Sequence, residues 1–324
     1  MILRCQVLFG VLLLCACGAA VAQTSEPVNG SVPRKAIRVT LLGTASGPRV
    51  HPALAGISTL VEAGGERFLF DAGRGVMQRL VQAGFPVNAV TKLFLTHLHS
   101  DHVVDVPDLM LTPWSAQPER KVPLEVWGPD GTRDMMRHLE KAFAFDIHVR
   151  RDVDESFAPE GIRVVARDIR EGKVYEKNGV TITAFLVIHG LVKPSYGYRV
   201  DYAGRSVALS GDTSPSDNLV AFCKGVDVLI HEAIDLDVLR RLVADPQRME
   251  AIVSRHTTPE QAARIFSAVS TRLAVFSHSP GTAGIVEQTK RSYAGRVEMG
   301  RDLMVIDIGD DVRVRAGAAE VRPR

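Results

Sequence analysis

Thr96-His97-Leu98-His99-Ser100-Asp101-His102 concentrates three imidazoles and a carboxylate within seven residues. Imidazole and carboxylate, with no thiolate nearby, form the ligand set of a borderline divalent ion, Zn²⁺ first and Mn²⁺ or Fe²⁺ after it. The apolar run Lys92–Thr96 reads as a strand, and His97 and His99, two residues apart, leave it on the same side. Ser100 is placed to cap a short helix that carries Asp101 and His102 on its first turn. Four ligands then fan out around one point.

One loop cannot close two metal sites, so further ligands must come from elsewhere, and the candidates stand at the ends of predicted strands. His189 follows Thr181–Ile188, and Asp212 lies in Ser210-Gly211-Asp212-Thr213 after Arg205–Ser210. His231 opens His231-Glu232-Ala233 after Val226–Ile230, and His278 ends Leu273–Ser277. In His256-Thr257-Thr258-Pro259-Glu260-Gln261, Thr258 fits an N-cap, Pro259 the first helical position and Gln261 the far half of a capping box. His256 then sits just ahead of a helix N-terminus, where positive potential favours anions and a transition state gaining negative charge. Seven of the ten histidines fall in the 97–102 loop, at these strand ends or at position 256.

The elements that must position these groups alternate irregularly. Ile37, Val39 and Leu41 alternate with polar residues, and Ile57–Ala63 and Glu66–Phe70 bracket a hairpin turn at Gly64-Gly65. Pro123–Trp127, Gly179–Ile188, Tyr196–Tyr202 and Leu303–Ile308 also read as strands, with helices near 131–144, 235–245 and 259–269. Such a series predicts an α/β (α+β) fold of mixed sheets carrying helices on their outer faces. The 324 residues, 46% hydrophobic and 23% charged, suffice for a large core. Lys and Arg number 39 against 37 Asp and Glu, and no basic run tracks a phosphate backbone.

Met1–Ala22 has one charge, Arg4, then an apolar run from Val7 to Leu14 and a small-x-small ending, Ala20-Val21-Ala22. It reads as a signal peptide cleaved after Ala22, giving a periplasmic or secreted protein with no membrane span in the mature chain. Leu14-Cys15-Ala16-Cys17 faintly resembles a lipoprotein anchor. Cleavage leaves Cys223 as the one cysteine, a buried structural thiol. Residues 23–36 form a flexible lead-in and 309–324 a frayed tail.

With these residues laid out, the sequence resembles the metallo-β-lactamase-fold hydrolases, in their ribonuclease Z and exported arylsulfatase-like branch. Leu42-Gly43-Thr44, Phe70-Asp71-Ala72-Gly73, Thr96–His102, Trp127–Thr132, Gly197-Tyr198-Arg199, Ser210–Thr213, His231-Glu232-Ala233, His256-Thr257-Thr258 and Ser277-His278 carry the resemblance across 37–308. It implies a four-layer αβ/βα sandwich forming one domain, with two metals in a cleft at one edge of the sheets and a homodimer as assembly. It further implies that His97, His99 and His189 bind one metal, that Asp101, His102 and His278 bind the other, and that Asp212 bridges them. Asp71 and His231 would stand behind the ligands and orient them. The catalytic candidates are His256, which steadies negative charge, Asp101, and Glu232, which orients His256 or relays a proton.

The ribonuclease Z family proper inserts a tRNA-gripping arm between its third histidine and its bridging aspartate. Here residues 190–211, 22 in all, leave room for a hairpin and no arm. With the export signal, this sets up the expectation of a small-molecule sulfate or phosphate ester as substrate and no nucleic-acid partner. A lactonase or β-lactamase-type ring hydrolase and a catalytically silent metal-binding module are the alternatives. Trp114, in the Pro-containing segment Thr112–Pro123, is the candidate to stack on an aromatic leaving group. His51, His138 and His148 are left as surface or structural residues.

Overall fold

In the computed structural model, strands β1 (Ile37–Gly43), β2 (Ser58–Ala63), β3 (Glu66–Phe70), β4 (Lys92–Phe94), β5 (Leu124–Gly128) and β6 (Val164–Asp168) begin one sheet. A second sheet comprises β7 (Gly172–Lys177), β8 (Val180–Leu186), β9 (Tyr196–Tyr202), β10 (Arg205–Leu209), β11 (Val228–His231), β12 (Leu273–Phe276) and β13 (Val297–Met299). The chain then returns to the first sheet through β14 (Met304–Ile308) and β15 (Val312–Arg315). The orders are β15-β14-β1-β2-β3-β4-β5-β6 and β13-β12-β11-β10-β9-β8-β7. The structure describes residues 32, 35–153, 157–279 and 282–316. The segment read as a signal peptide, with Cys5, Cys15 and Cys17, nearly all of the 23–36 lead-in, and residues 317–324 of the tail lie outside the described residues. No helix among the described residues is long and apolar enough to cross a membrane.

Period-two alternation assigns each strand's side chains to two different cores. Ile37, Val39 and Leu41 of β1, Phe68 and Phe70 of β3, and Leu273 and Val275 of β12 fill the space between the sheets. Leu69 faces the helices outside the first sheet, and Ala274 and Phe276 face those outside the second. The result is four layers, αβ/βα, as expected. Because both faces are covered, strands such as β1 and β12 are buried at every residue and lose the polar alternation of a half-exposed strand. Each branched side chain buried this way contributes roughly 1.5–3 kcal/mol. Phe94 stacks on Trp127 at 4.6 Å between the sheets. Cys223 is buried in the outer core of the second sheet, and burial pushes its thiol up to about 12.

Two expectations need correction. The tail is not frayed from Gly309 on, because Val312–Arg315 pairs antiparallel with β14 and forms that sheet's edge. The stretch after the histidine loop is not a loop up to Pro123: Val106–Ser115 is a helix with Pro113 inside it. Pro113 cannot donate to the Leu109 carbonyl, and the buried Arg120 takes that role, giving Nη1 to Leu109 O (2.8 Å) and Nη2 to Met110 O (2.7 Å).

Candidate metal centre

β3 and β4 run parallel in one sheet, and β10, β11 and β12 in the other. Their C-terminal ends meet at one rim, where ligand sites form in sheets of this kind. Asp71 directly follows β3, the histidine loop follows β4, Asp212 lies just beyond β10, His231 ends β11 with Glu232 after it, and His278 lies just beyond β12. His189 enters from the connection between β8 and β9, next to the β9–β10 hairpin that fills the space to Asp212. The loop takes its shape from backbone as much as side chains. Helix Ser100–Val103 is capped by His99 in an extended conformation without a side-chain bond, so Ser100 stands inside the first turn rather than before it. Asp71 (φ 58) and His278 (φ 49) hold the left-handed conformation, which non-glycine residues adopt at a cost of order 1–3 kcal/mol. Gly211 is required where it is: a Cβ there would stand 2.5 Å from the Tyr196 carbonyl oxygen.

The seven ligand candidates come together as two clusters. His99 Nδ1 lies 3.0 Å from His97 Nε2 and 3.3 Å from His189 Nε2. His278 Nε2 lies 3.2 Å from Asp101 Oδ2, and His102 Nε2 is 3.7 Å from that same oxygen. Asp212 stands between, with its oxygens divided. Oδ1 is 3.5 Å from His102 Nε2 and 3.2 Å from His278 Nδ1, while Oδ2 is 3.9 Å from His97 Nε2 and 3.8 Å from His189 Nε2.

These donors fit divalent ions. Ligands bound tetrahedrally at about 2.0–2.1 Å from Zn²⁺ stand about 3.3 Å apart, the spacing of the three-histidine cluster. His102 Nε2, Asp212 Oδ1 and His278 Nδ1 are all buried without a hydrogen-bond partner, which is costly unless a cation takes their lone pairs. Burial holds His97 well below the usual imidazole range, with the neighbouring His102 adding to it; burial also lowers His189 and His99. Three neutral rings present the form that binds metal. Burial opposes charge on His102 too, but Asp212 and Asp71 outweigh it and raise the ring well above its ordinary value. Asp212 is held well below the usual carboxylate range, because His278 and His102 overcome its burial.

Surrounding groups fix how the ligands face. His102 Nδ1 is 2.8 Å from Asp71 Oδ2, and the His189 Nδ1–H donates to the Arg255 carbonyl (3.1 Å), leaving each Nε2 for the centre. Thr96, which the sequence did not single out, binds Asp71 through its N–H (2.9 Å) and its hydroxyl, and that hydroxyl also reaches His97 Nδ1 (3.1 Å). Its one signal is its place directly before His97. Gly47 N–H reaches His278 Nε2 at 3.3 Å from an exposed loop that sequence patterning passed over.

Glu232 is buried, and its Oε1 accepts from His256 Nδ1 (3.2 Å), Thr257 N–H (3.1 Å) and Thr213 N–H (3.2 Å). His256 thereby flanks the centre, its ring 5.1 Å from that of His189. Burial works against its charge, but Glu232, with help from Asp212, raises it to about 9. The helix behind it, Pro259–Val269, has the expected capping box between Thr258 and Gln261. His231 does not orient a ligand side chain. Its Nδ1–H donates to the Glu232 carbonyl (2.7 Å), and it lines a cavity of ≈ 30 Å³ behind His102 and Asp212. Trp114 does not face the cleft either. It is 1% exposed, gives Nε1–H to the Ala158 carbonyl (3.0 Å) and packs edge-on against Phe157. His51, His138 and His148 are exposed and away from the clusters.

The family described as beta-lactamase superfamily domain matches residues 66–279. Ribonuclease Z of Mycobacterium avium (strain 104) is 39% identical over 281 residues, 84% of this chain and 98% of that protein. Among solved structures, the metallo-beta-lactamase fold protein YhfI from Bacillus subtilis superposes with a TM-score of 0.66 at 18% identity, over 84% of this chain and 99% of that one. Human tRNase Z, short form, has a TM-score of 0.58 at 24% identity, over 83% and 98%. The expectation that a missing arm excludes a nucleic-acid partner is overturned here. A protein named for a ribonuclease is matched over 98% of its length at 39% identity, so the shortness of the 190–211 segment does not set this chain apart from proteins that act on RNA.

Proposed function

The chain belongs to the metallo-β-lactamase superfamily, and from that premise we propose that it hydrolyses phosphodiester bonds at a two-metal centre, with RNA as its substrate class. Asp212 carries the two-metal part: one carboxylate offers one oxygen to each of two ligand clusters. The names of the relatives at 33–39% identity support the phosphodiester part. Bound there, a pair of divalent ions supplies hydroxide at neutral pH and Lewis acidity towards a phosphoryl oxygen. His97, His99 and His189 would hold one ion, Asp101, His102 and His278 the other, and Asp212 both. Asp71 keeps the His102 proton on Nδ1. His256, charged through its contact with Glu232, hydrogen-bonds the oxygen that gains charge as the P–O bond breaks and can release its proton there. Glu232 positions that ring and touches no substrate.

Sulfate esters and lactones find no support in the names of these relatives and become arms of the test. Zn²⁺- and Mn²⁺-loaded protein is assayed on a 3′-extended tRNA precursor, bis(p-nitrophenyl) phosphate, p-nitrophenyl sulfate and a γ-lactone. Cleavage of the two phosphodiesters well above the other substrates is expected. Turnover confined to the sulfate or the lactone would refute the substrate class and leave the metal centre standing.

A further inference from the structure

One cation borders the centre with no partner among the described residues. Arg255 follows helix Pro246–Val253 and supports His189 through its backbone carbonyl. Its side chain turns back across Gly190, the residue after His189. A Cβ built on Gly190 would come within 2.7 Å of Arg255 Cγ, 3.0 Å of Cδ and 3.1 Å of Nε. Gly190 has φ +59, so both its conformation and its bareness leave the path open to the arginine stem. His189, which the Arg255 carbonyl holds, lies 3.3 Å through its Nε2 from Nδ1 of His99, the exposed member of the three-histidine cluster. Among the described residues no carboxylate or carbonyl pairs with its guanidinium.

Such a placement is unfavourable unless something negative joins it. The stem is covered by packing, which is ordinary for arginine, but the five N–H donors of the fork are left for water beside a centre that two bound divalent ions would make strongly positive. An anion between the fork and the ions reverses the sign of that interaction. A tetrahedral phosphoryl group has the oxygens to face both sides, and a planar guanidinium matches two of them at once.

We infer that Arg255 grips the non-bridging oxygens of the phosphoryl group held at the centre, on the His99 side of the cleft. This names how the proposed phosphodiester site recognises its anion, and it rests on that proposal. Nothing marks Arg255 in the sequence, because its partner in space, Gly190, lies 65 positions earlier (255 − 190).

The test uses full-length metal-loaded protein at matched metal content, with inorganic phosphate as probe and isothermal titration calorimetry as readout. Arg255→Met keeps the packed stem and Arg255→Gln keeps hydrogen bonding; both should weaken phosphate binding about 10- to 100-fold, as loss of a charge-assisted bond does, with Arg255→Lys in between. With bis(p-nitrophenyl) phosphate the same variants should raise KM more than they lower kcat. Phosphate affinity within about twofold of wild type in both neutral variants, or a wild type that binds no phosphate at millimolar concentration, overturns the inference. Phosphate binding that depends on Arg255 in a protein unable to cleave phosphodiesters would sink the proposed activity and uphold the anion site.

Discussion

Asp71→Asn isolates one charge behind the centre and leaves shape untouched. The Asp71 carboxylate accepts from Thr96 N–H at Oδ1 (2.9 Å), from the Thr96 hydroxyl (2.9 Å to Oδ2) and from His102 Nδ1–H at Oδ2 (2.8 Å). Asparagine tolerates the positive φ of 58 at this position, so no new backbone strain enters. Its amide can be placed two ways. If the oxygen stays on Thr96 N–H, the NH₂ group faces His102 Nδ1, drives the ring's proton to Nε2 and so blocks the atom that faces Asp212 at 3.5 Å. If the amide is flipped, NH₂ meets Thr96 N–H and two buried donors oppose each other, at a cost of about 1–3 kcal/mol.

Either arrangement penalises the ion proposed for Asp101, His102 and His278 and spares the one proposed for His97, His99 and His189. Groups that orient a metal ligand are worth about 10- to 100-fold in metal affinity, or about 1.4–2.7 kcal/mol. Chelator competition followed by metal analysis should therefore show one ion weakened by that factor and the other unchanged, with Tm of the singly loaded protein close to wild type. Equal weakening of both ions, or of neither, would refute the claim that Asp71 acts through His102.

His256→Ala should retain both ions and lower kcat by ~10²-fold or more, and Glu232→Gln should lower it less, as read by metal analysis beside steady-state kinetics. Trp114→Phe loses the bond to Ala158 and should cost about 1 kcal/mol in denaturant unfolding while leaving KM within about twofold; a large KM effect would return Trp114 to the substrate. Protein recovered from a periplasmic or secreted fraction should begin at Gln23 by intact mass, and recovery only as the full chain in the cytoplasm would end the export proposal.

How much of this was legible follows from how local each signal is. The spacing of His97, His99, Asp101 and His102 is a strand end running into a helical turn, and the structure keeps it although the cap moved from Ser100 to His99. Thr258, Pro259 and Gln261 announce a helix start with short-range bonds, and the helix begins where they place it. The helix Val106–Ser115 was hidden because Pro113 normally argues against one; its rescue comes from Arg120, seven positions on and fully buried. Edge strands β6 and β7 carry charges on both faces (VVARD, GKVYEK) and so lack the apolar alternation by which a strand is recognised, while β15 (VRVR) alternates but is only four residues long.

The groups that finish the site were illegible for a different reason. Asp302 receives Thr44 N–H (2.9 Å), the Thr44 hydroxyl (2.8 Å) and Ala55 N–H (2.7 Å), and pairs with Arg79 (2.8 Å). One half-buried carboxylate thus clamps both ends of the loop whose Gly47 touches His278, across some 250 residues of chain. Spacing shows which residues are capable of binding a metal, since that capacity belongs to each side chain. It cannot show Asp302, Arg120 or Arg255, whose roles exist only once separate strand ends have met, and a search for chemistry in such a chain must therefore look next at polar groups that reach the rim from far away in sequence.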